Sequence, residues 1–353
     1  MMNPSKENPI SPPLGGRLAE ILRLTIMEYI ATAKPVSSRI LMEKYLQKLS
    51  SATIRNLLGN LEEFGYLKQP HPSAGRIPTE EGFRFYLNHL LEIQDINLEE
   101  REELKRQFYD EKDPLTSLRQ ASRFLSLHSH QIGIVTPPRF ETTLFKQIQF
   151  VRISANKLLA LFISKNGFIE ERIVHWENTP SQDDLWKMAK YLNEHFSEST
   201  LEDIRKRLRS ELEKESGQLR SLLFKALSLR ELFFNPCSNL EIYIEGYSQL
   251  MNQPEFSQNE KMRILFKALE HKQLLLQILD RAQKSSQDSA QIVLGEDLEK
   301  EEFSGLSFVT KQYGLGEKPM GTLAVAGPRR MDYCRIVPLI NFTAHTLNHL
   351  FKN

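Results

Sequence analysis

The chain has 353 residues, of which 40% are hydrophobic and 26% are charged, and its formal net charge is +1. This composition is that of a globular protein and excludes a chain that is disordered over most of its length. The length predicts two or three domains. The balanced charge excludes a uniformly basic nucleic-acid-binding protein, so a basic surface would have to be local.

Motifs for metal binding, catalysis or membrane insertion are absent from the sequence. The two cysteines, Cys237 and Cys334, are far apart and lack a CxxC or Cys/His spacing, so neither disulfides nor a zinc site is expected. There is no phosphate-binding glycine loop, HExxH or GxSxG motif. We therefore expect no catalytic residues, no metal and no cofactor, and hence a protein that is not an enzyme.

The N-terminus has no apolar segment of the signal-peptide kind. The longest apolar run, Leu158 to Ile163, is too short to span a bilayer. The sequence therefore predicts a cytoplasmic protein that has no contact with a membrane.

Residues 1–16 are rich in Pro, Gly and Ser and predict a flexible arm. From Leu18 to Ile30, apolar residues recur at helical spacing and predict a first helix. This helix ends before Pro35, because the residue that precedes a proline avoids the α conformation.

A short second helix is expected next, capped by Ser37 or Ser38 and ending near Leu46. Its predicted inward-facing residues are Ile40, Leu41 and Tyr45. Between residues 34 and 60 the chain carries five Lys or Arg side chains against one Glu, a local charge of +4. This is a modest basic patch in a nearly neutral protein.

The third helix is the most informative element of the sequence. Ser50 or Ser51 caps its start, it runs to Phe64, and Gly65 lies where a left-handed C-terminal residue is favoured. Its predicted buried stripe consists of Ile54, Leu57, Leu58, Leu61 and Phe64. Its opposite face carries Ala52, Arg55, Asn56, Gly59 and, at the far end, Glu63.

This outer face suits a helix that enters the major groove of DNA. The small residues Ala52 and Gly59 permit close approach, and Arg55 and Asn56 can form paired hydrogen bonds with base edges. Many helices carry Arg and Asn on a face that is simply exposed to solvent. The third helix taken alone therefore indicates a solvent-exposed face as strongly as a DNA-binding face.

Two short strands and a fourth helix follow. Residues 66–69 and 76–78 are predicted strands, joined by a turn-rich tip, and a helix opens at Thr79. Three helices followed by a two-stranded ribbon is the order of a winged helix-turn-helix, here predicted for residues 17–95. His71, Ser73 and Arg76 can donate to DNA phosphates or the minor groove; the alternative is a tip that is merely rich in turn residues.

Three stretches of the sequence resemble the heat-inducible transcription repressor family called HrcA. They are SSATIRN (Ser50 to Asn56), EEFGYLKQPHPSAGRIPTEEGFRFY (Glu62 to Tyr86) and GTLAVAGPRRMDYCRI (Gly321 to Ile336). The first and last lie near opposite ends of the chain, so the resemblance covers essentially its whole length.

The resemblance implies a multidomain α+β fold. After the winged helix comes a helical connector, residues 96–112. A GAF-like domain then follows in two pieces, residues 113–144 and 235–353. Between these pieces lies an inserted dimerization domain, residues 145–234, with a three-stranded antiparallel sheet and helices.

The pattern of the remaining chain fits this division. Residues 147–154, 157–164 and 168–176 predict consecutive strands with hairpin-type turns, followed by helices over 182–196 and 201–234. The simpler alternative, one more sheet of a larger domain, stays open. Further predicted strands cover residues 131–136, 241–246, 290–295, 306–313 and 320–327.

Further helices are predicted over residues 98–112 and 115–128, around Met262, and from Asp332 to the end of the chain. Pro338 is expected to kink or weaken the second turn of the last helix.

By this resemblance the protein is a homodimeric repressor of chaperone operons. It would bind an inverted repeat in double-stranded DNA, depend on the GroE chaperonin (a GroEL-type partner) for activity, and release DNA on heating. Base-reading is then assigned to Ala52, Arg55, Asn56 and Gly59. Contacts with the DNA backbone are assigned to Lys34, Ser38, Arg39, Ser51, Thr53, His71, Ser73 and Arg76.

The alternative function is that of a ligand-sensing or enzymatic protein. In that case the GAF-like domain does the main work and the winged helix is an accessory module. An inverted repeat upstream of the organism's chaperone genes favours the repressor, whereas its absence together with a co-purifying small molecule favours the alternative.

Overall fold

A computed structural model describes residues 14–109, 113–138, 143–214, 242–251, 253–256, 275–276, 279, 289–298, 301–315 and 318–352. Over these residues the chain divides into two compact units. The first unit combines the N-terminal residues up to Gln94 with Pro328–Cys334, and the second contains the rest.

The first unit begins with three helices, α1 (Gly16–Thr32), α2 (Ser38–Lys44) and α3 (Ser51–Glu63). Serine hydroxyls cap two of them, because Ser37 accepts from the Ile40 N–H and Ser50 from the Thr53 N–H. Gly65 follows α3 with a φ of 79°, a left-handed conformation that glycine adopts without strain.

A two-stranded ribbon follows, formed by β1 (Leu67–Lys68) and β2 (Ile77–Pro78) in antiparallel register. Residues 67–78 make up this ribbon. The chain then enters α4 (Glu80–Phe85), which Thr79 caps and which continues into a π-helical turn, Tyr86–Leu90. The elements predicted for residues 17–95 are therefore present in the predicted order.

Residues 328–334 belong to the first unit although they lie near the end of the chain, which the sequence did not indicate. The Arg330 guanidinium donates to the Ile30 carbonyl at the end of α1, at 3.2 Å. The Cys334 carbonyl accepts from the Gln94 N–H at 3.3 Å. Pro338, four residues later, has no N–H to offer that carbonyl.

The second unit contains a five-stranded sheet in the order β7-β3-β10-β9-β8. Its strands are β3 (Ile132–Val135), β7 (Tyr243–Glu245), β8 (Gln291–Leu294), β9 (Leu306–Leu315) and β10 (Lys318–Pro328). Strand β3, which lies between β7 and β10, is buried along its whole length and pairs antiparallel with both neighbours.

The other long helices outside the three-stranded sheet are α5 (Leu98–Tyr109), α6 (Pro114–Ser129) and α10 (Tyr333–Leu350), and a short α9 (Tyr247–Met251) follows β7. Helix α6 packs closely on β3, since a Cβ at Gly133 would lie 2.1 Å from the Ser122 carbonyl oxygen. Helix α10 runs through Pro338 without ending, so the proline does not stop it.

A separate three-stranded sheet has the order β4-β5-β6. Its strands are β4 (Phe145–Ser154), β5 (Lys157–Ser164) and β6 (Ile169–His175), followed by α7 (Gln182–Phe196) and α8 (Leu201–Lys214). One face of the sheet packs against both helices in a core that includes Phe150, Phe162, Leu185 and Leu208.

The mixed helix and sheet architecture is thus confirmed. Every strand predicted from the sequence is present, with ends that differ by two residues or fewer. The predictions for residues 1–13, for a helix beyond Lys214 and around Met262, and for the middle of the turn before β10 lie outside the described residues. No helix among the described residues is long and apolar enough to cross a membrane.

Candidate nucleic-acid interface

Helix α3 has one buried face and one exposed face. Ile54, Leu58 and Leu61 are buried in the first unit. Arg55 and Asn56 are exposed on the opposite side. The helix is therefore held by its apolar side, and its arginine and asparagine are accessible to a partner.

The other small or polar residues of this face lie beside them. Ala52 and Thr53 are exposed on the first turn of α3. Gly59 is half-buried, yet a Cβ built there would meet nothing within 4 Å. The first three turns of α3 thus present a surface without bulky side chains around Arg55 and Asn56.

Two residues of the predicted apolar stripe are not buried. Phe64 is 55% exposed, because it caps the C-terminus of α3, beyond Leu61, the last buried residue of that helix. Leu57 is only half-buried. The prediction that Phe64 belongs to the core was wrong.

The exposed cations next to α3 are fewer than the sequence indicated. Arg39 is exposed but pairs with Glu43 at 2.7 Å, one helical turn away. Lys44 pairs with Glu28 at 2.7 Å. Among the described residues, none forms an ion pair with Lys34 or Arg55, so these two are the predicted contacts whose full charge faces outward.

Ser38 and Arg76 are placed differently from the surface positions expected of backbone contacts. The Ser38 side chain is buried, and its hydroxyl forms a 3.0 Å hydrogen bond with the hydroxyl of Ser51 on α3. The Arg76 side chain is 18% exposed and its Nε lies 2.8 Å from Glu62 Oε2. Both are therefore corrected from surface donors to residues that connect elements of the first unit.

The tip of the ribbon is exposed, and its shape is set by local hydrogen bonds. His71 and Ser73 point to solvent from this tip. The Gln69 side-chain amide donates to the carbonyls of Pro72 and Ala74, at 2.8 and 2.9 Å, across the base of the turn. The loop that presents His71 and Ser73 is thus closed by one side chain.

A buried carboxylate joins α1 to the end of α2. The Glu28 side chain is 3% exposed, and it accepts hydrogen bonds from Lys44 Nζ at 2.7 Å and from the Tyr45 hydroxyl at 2.8 Å. The Tyr45 ring itself is exposed, which corrects the prediction that it faces inward. The Tyr45 hydroxyl reaches inward to Glu28 and supplies one of the hydrogen bonds that a buried carboxylate requires.

These contacts determine the charge state of Glu28. Burial alone raises the pKa of Glu28, but the hydrogen bonds from Lys44 and Tyr45 and the positive charge of Lys44 together lower it below its ordinary value. Glu28 is therefore ionised at neutral pH, and its ionised form stabilises the contact between α1 and α2.

The first prediction concerns the pH dependence of this contact. A lowered folded-state pKa gives a stabilisation that is present above the unfolded-state value, about 4.3, and is lost as pH falls through the folded-state value. Glu28→Gln should therefore speed hydrogen exchange in α2 at pH 7, and the difference from wild type should shrink at pH 4. The exposed Glu43→Gln is the control and should change exchange little. A difference for Glu28→Gln that stays constant with pH would contradict the assignment.

Two connecting carboxylates, Glu28 and Glu62, were missed in the sequence. For Glu28 a signal was available, since it lies seven residues after the buried Ile21 on the inward face of α1. Glu62 had no such signal, because its partners on the ribbon become neighbours only after the chain folds back.

The three-stranded sheet presents a second candidate surface. On the face away from α7, Val151, Leu159 and Ile173 are paired in register across all three strands. Ile173 is 65% exposed, and Val151 is also exposed. Exposed apolar side chains that adjoin one another on a sheet are typical of a protein-binding surface.

The outer edge of this sheet is closed by side-chain amides of α7. Asn193 exchanges hydrogen bonds with both backbone groups of Ile148, at 2.8 and 3.1 Å. Gln182 does the same between Phe150 and Arg152. Strand β4 is thus unable to add a further strand at these positions, and the apolar face stays a candidate surface for association.

Comparison with known proteins gives consistent matches over the whole chain. A family model described as the HrcA protein C terminal domain matches residues 116–337. The chain is 38% identical to the heat-inducible transcription repressor HrcA of Syntrophobacter fumaroxidans, over 96% of this chain and 98% of that protein. It is 36% identical to the repressor of the same name from Geobacter sulfurreducens, over 94% and 96%.

A crystal structure of a hypothetical protein has a similar fold. The TM-score is 0.62 at 22% identity, and the match covers 96% of this chain and 98% of the other. This likeness concerns the fold alone.

Proposed function

The chain belongs to the HrcA family of heat-inducible transcription repressors, and from this we propose that it represses chaperone operons as a homodimer bound to an inverted-repeat DNA operator. The observation that carries the proposal is the exposed pair Arg55 and Asn56 on a helix whose opposite side is buried. Side chains of these two types discriminate bases in the major groove. The proposed role is binding, with no catalytic step.

We assign the first unit as a winged helix-turn-helix, in which α3 is the recognition helix. The ribbon is the wing. Its order after α1, α2 and α3, and the tight turn between α2 and α3, support this assignment. The connector, the GAF-like domain and its dimerization insert keep the boundaries given above as part of the same proposal.

Within this interface the residues divide by role. Arg55 and Asn56 read base edges, and Ala52 and Gly59 allow the helix backbone to approach the groove. The DNA backbone is contacted by Lys34, Arg39, Ser51, Thr53, His71 and Ser73. Ser38 and Arg76 serve instead to hold α2, α3 and the ribbon in place.

The homodimer forms through the apolar face of the three-stranded sheet. A symmetric operator requires two identical DNA-binding units related by a two-fold axis. The row of Val151, Leu159 and Ile173 offers an apolar surface that can pair with its own copy. The closed edge at β4 favours this face over pairing at that edge.

The thermal response and the chaperonin belong to the proposal through family membership. Because a protein of marginal stability changes its folded fraction several-fold for about 1–2 kcal/mol, heating can release the repressor from DNA. The GroE chaperonin would restore it to the folded state.

The experiment is a mobility-shift titration on a duplex that contains the inverted repeat found upstream of the chaperone genes, with a scrambled duplex as control. We expect selective binding, loss of binding after a brief heat step, and recovery on addition of GroE and ATP. Equal affinity for both duplexes contradicts operator recognition. Full affinity after heating without GroE contradicts the role of the chaperonin.

A further inference from the structure

The recognition helix and the ribbon are joined by one carboxylate. Glu62, in the last turn of α3, accepts the Gln69 backbone N–H through Oε1 at 3.1 Å. Its other oxygen, Oε2, pairs with Arg76 Nε at 2.8 Å. Gln69 directly follows β1 and Arg76 directly precedes β2, so Glu62 holds both sides of the ribbon against α3.

The ribbon is also attached to the segment before α2, through the backbone of Arg76. Arg76 and Val36 exchange backbone hydrogen bonds, each 2.8 Å long, so the segment before α2 adds to the ribbon. A Cβ at Gly75 would lie 2.4 Å from the Val36 carbonyl, a contact that only glycine permits. The ribbon is thus attached to the segment before α2 through backbone and to α3 through Glu62.

We propose that Glu62 is a positioning residue for DNA binding, which fixes the ribbon relative to α3 so that both elements meet the duplex in one preset arrangement. This inference rests on the proposed function. It accounts for Arg76, whose partly buried guanidinium pairs with Glu62. The contacts at the tip are left to His71 and Ser73.

The charge of Glu62 makes the proposal testable through the direction in which DNA affinity changes. Glu62 is a negative charge in a unit that is proposed to bind a polyanion. By charge alone, the removal of Glu62 should therefore strengthen DNA binding, because repulsion of the phosphates decreases. If Glu62 positions the ribbon, its removal should weaken binding instead, because the tip loses its defined place. The two effects have opposite directions.

The test compares Glu62→Gln with Glu63→Gln in the full-length protein. Glutamine at position 62 keeps an oxygen for the Gln69 N–H but loses the charge that attracts Arg76. Glu63 is the next residue of the same helix and is exposed. Its replacement therefore removes the same charge and leaves the contacts between Glu62 and the ribbon intact. The probe is the inverted-repeat duplex, studied by mobility shift and hydroxyl-radical footprinting.

We expect Glu62→Gln to weaken operator binding about fivefold, in proportion to the loss of one ion pair. Protection should disappear at the outer positions covered by the ribbon and persist at the centre of each half-site. Glu63→Gln should bind as tightly as the wild type or more tightly. In protein without DNA, hydrogen exchange should rise in the ribbon of Glu62→Gln while the α3 amides stay protected, which separates lost positioning from lost folding.

Glu62→Gln that binds as tightly as the wild type, with an unchanged footprint, overturns the inference and leaves the proposed function standing. Wild-type protein that fails to bind the inverted repeat overturns the proposed function and this inference with it. Arg76→Gln provides a further check. If Arg76 acts through Glu62, the double variant binds no worse than either single variant, whereas additive losses would show that Arg76 contacts phosphate on its own.

Discussion

Arg55→Ala lowers operator affinity by about 1–3 kcal/mol, roughly 5- to 150-fold, and relaxes the preference at one base pair of each half-site. The reason is geometric, because Arg55 is exposed on the face of α3 opposite the buried Ile54 and Leu58 and has no ion-pair partner among the described residues. Its whole hydrogen-bonding capacity is available to a base. The measurement is a set of mobility-shift titrations against operators substituted at each position.

Lys34→Ala is the matched control for Arg55→Ala. Lys34 is an exposed cation before α2, and we propose that it contacts a phosphate. Its loss should weaken binding to all sequences alike and reduce the slope of log affinity against log salt by about 1. If Arg55→Ala changes affinity in this same sequence-independent way, or not at all, α3 is not the base-reading element.

We expect Ile173→Asp to convert the proposed dimer into a monomer and to reduce operator affinity by about 100-fold or more, because the two half-sites are then bound separately. Ile173 lies in the exposed row with Val151 and Leu159, so an introduced carboxylate would be buried without a partner at the interface. Sedimentation equilibrium reports the change in mass. Mobility shift reports the loss of binding.

Trp186→Asp is the control for this substitution. Trp186 is a large apolar side chain on α7, the helix on the other face of the same sheet, and it is 60% exposed. The same change of polarity there should leave the protein dimeric and bound to its operator. A monomer from Trp186→Asp with an intact dimer from Ile173→Asp would place the interface on the helical side.

The sequence predicted local structure well wherever the signal was local. Ser50 and Gly65 delimit α3 because capping and left-handed termination depend on adjacent residues. The exposed position of Arg55 followed from the helical period. The three consecutive strand-like runs and the hairpin-type turns between them likewise predicted the three-stranded sheet.

Apart from Phe64 at the end of α3, the predictions that failed concern contacts between residues distant in sequence. Periodicity placed Tyr45 inward, but the buried Glu28 attracts only its hydroxyl. Composition counted Lys44 as part of a basic patch, whereas Glu28 engages its charge. Arg76 looked like a surface donor, and its partner Glu62 is fourteen residues away. Charge pairing of this kind is decided by tertiary structure and leaves no periodic signal.

Methylation protection of guanine N7 on the inverted-repeat duplex tests the central claim most directly, because this atom lies in the major groove. The account requires symmetric protection in both half-sites by the wild-type protein, with at least one protected guanine per half-site becoming reactive in Arg55→Ala. Protection that is absent from the major groove, or that is unchanged by Arg55→Ala, would contradict it.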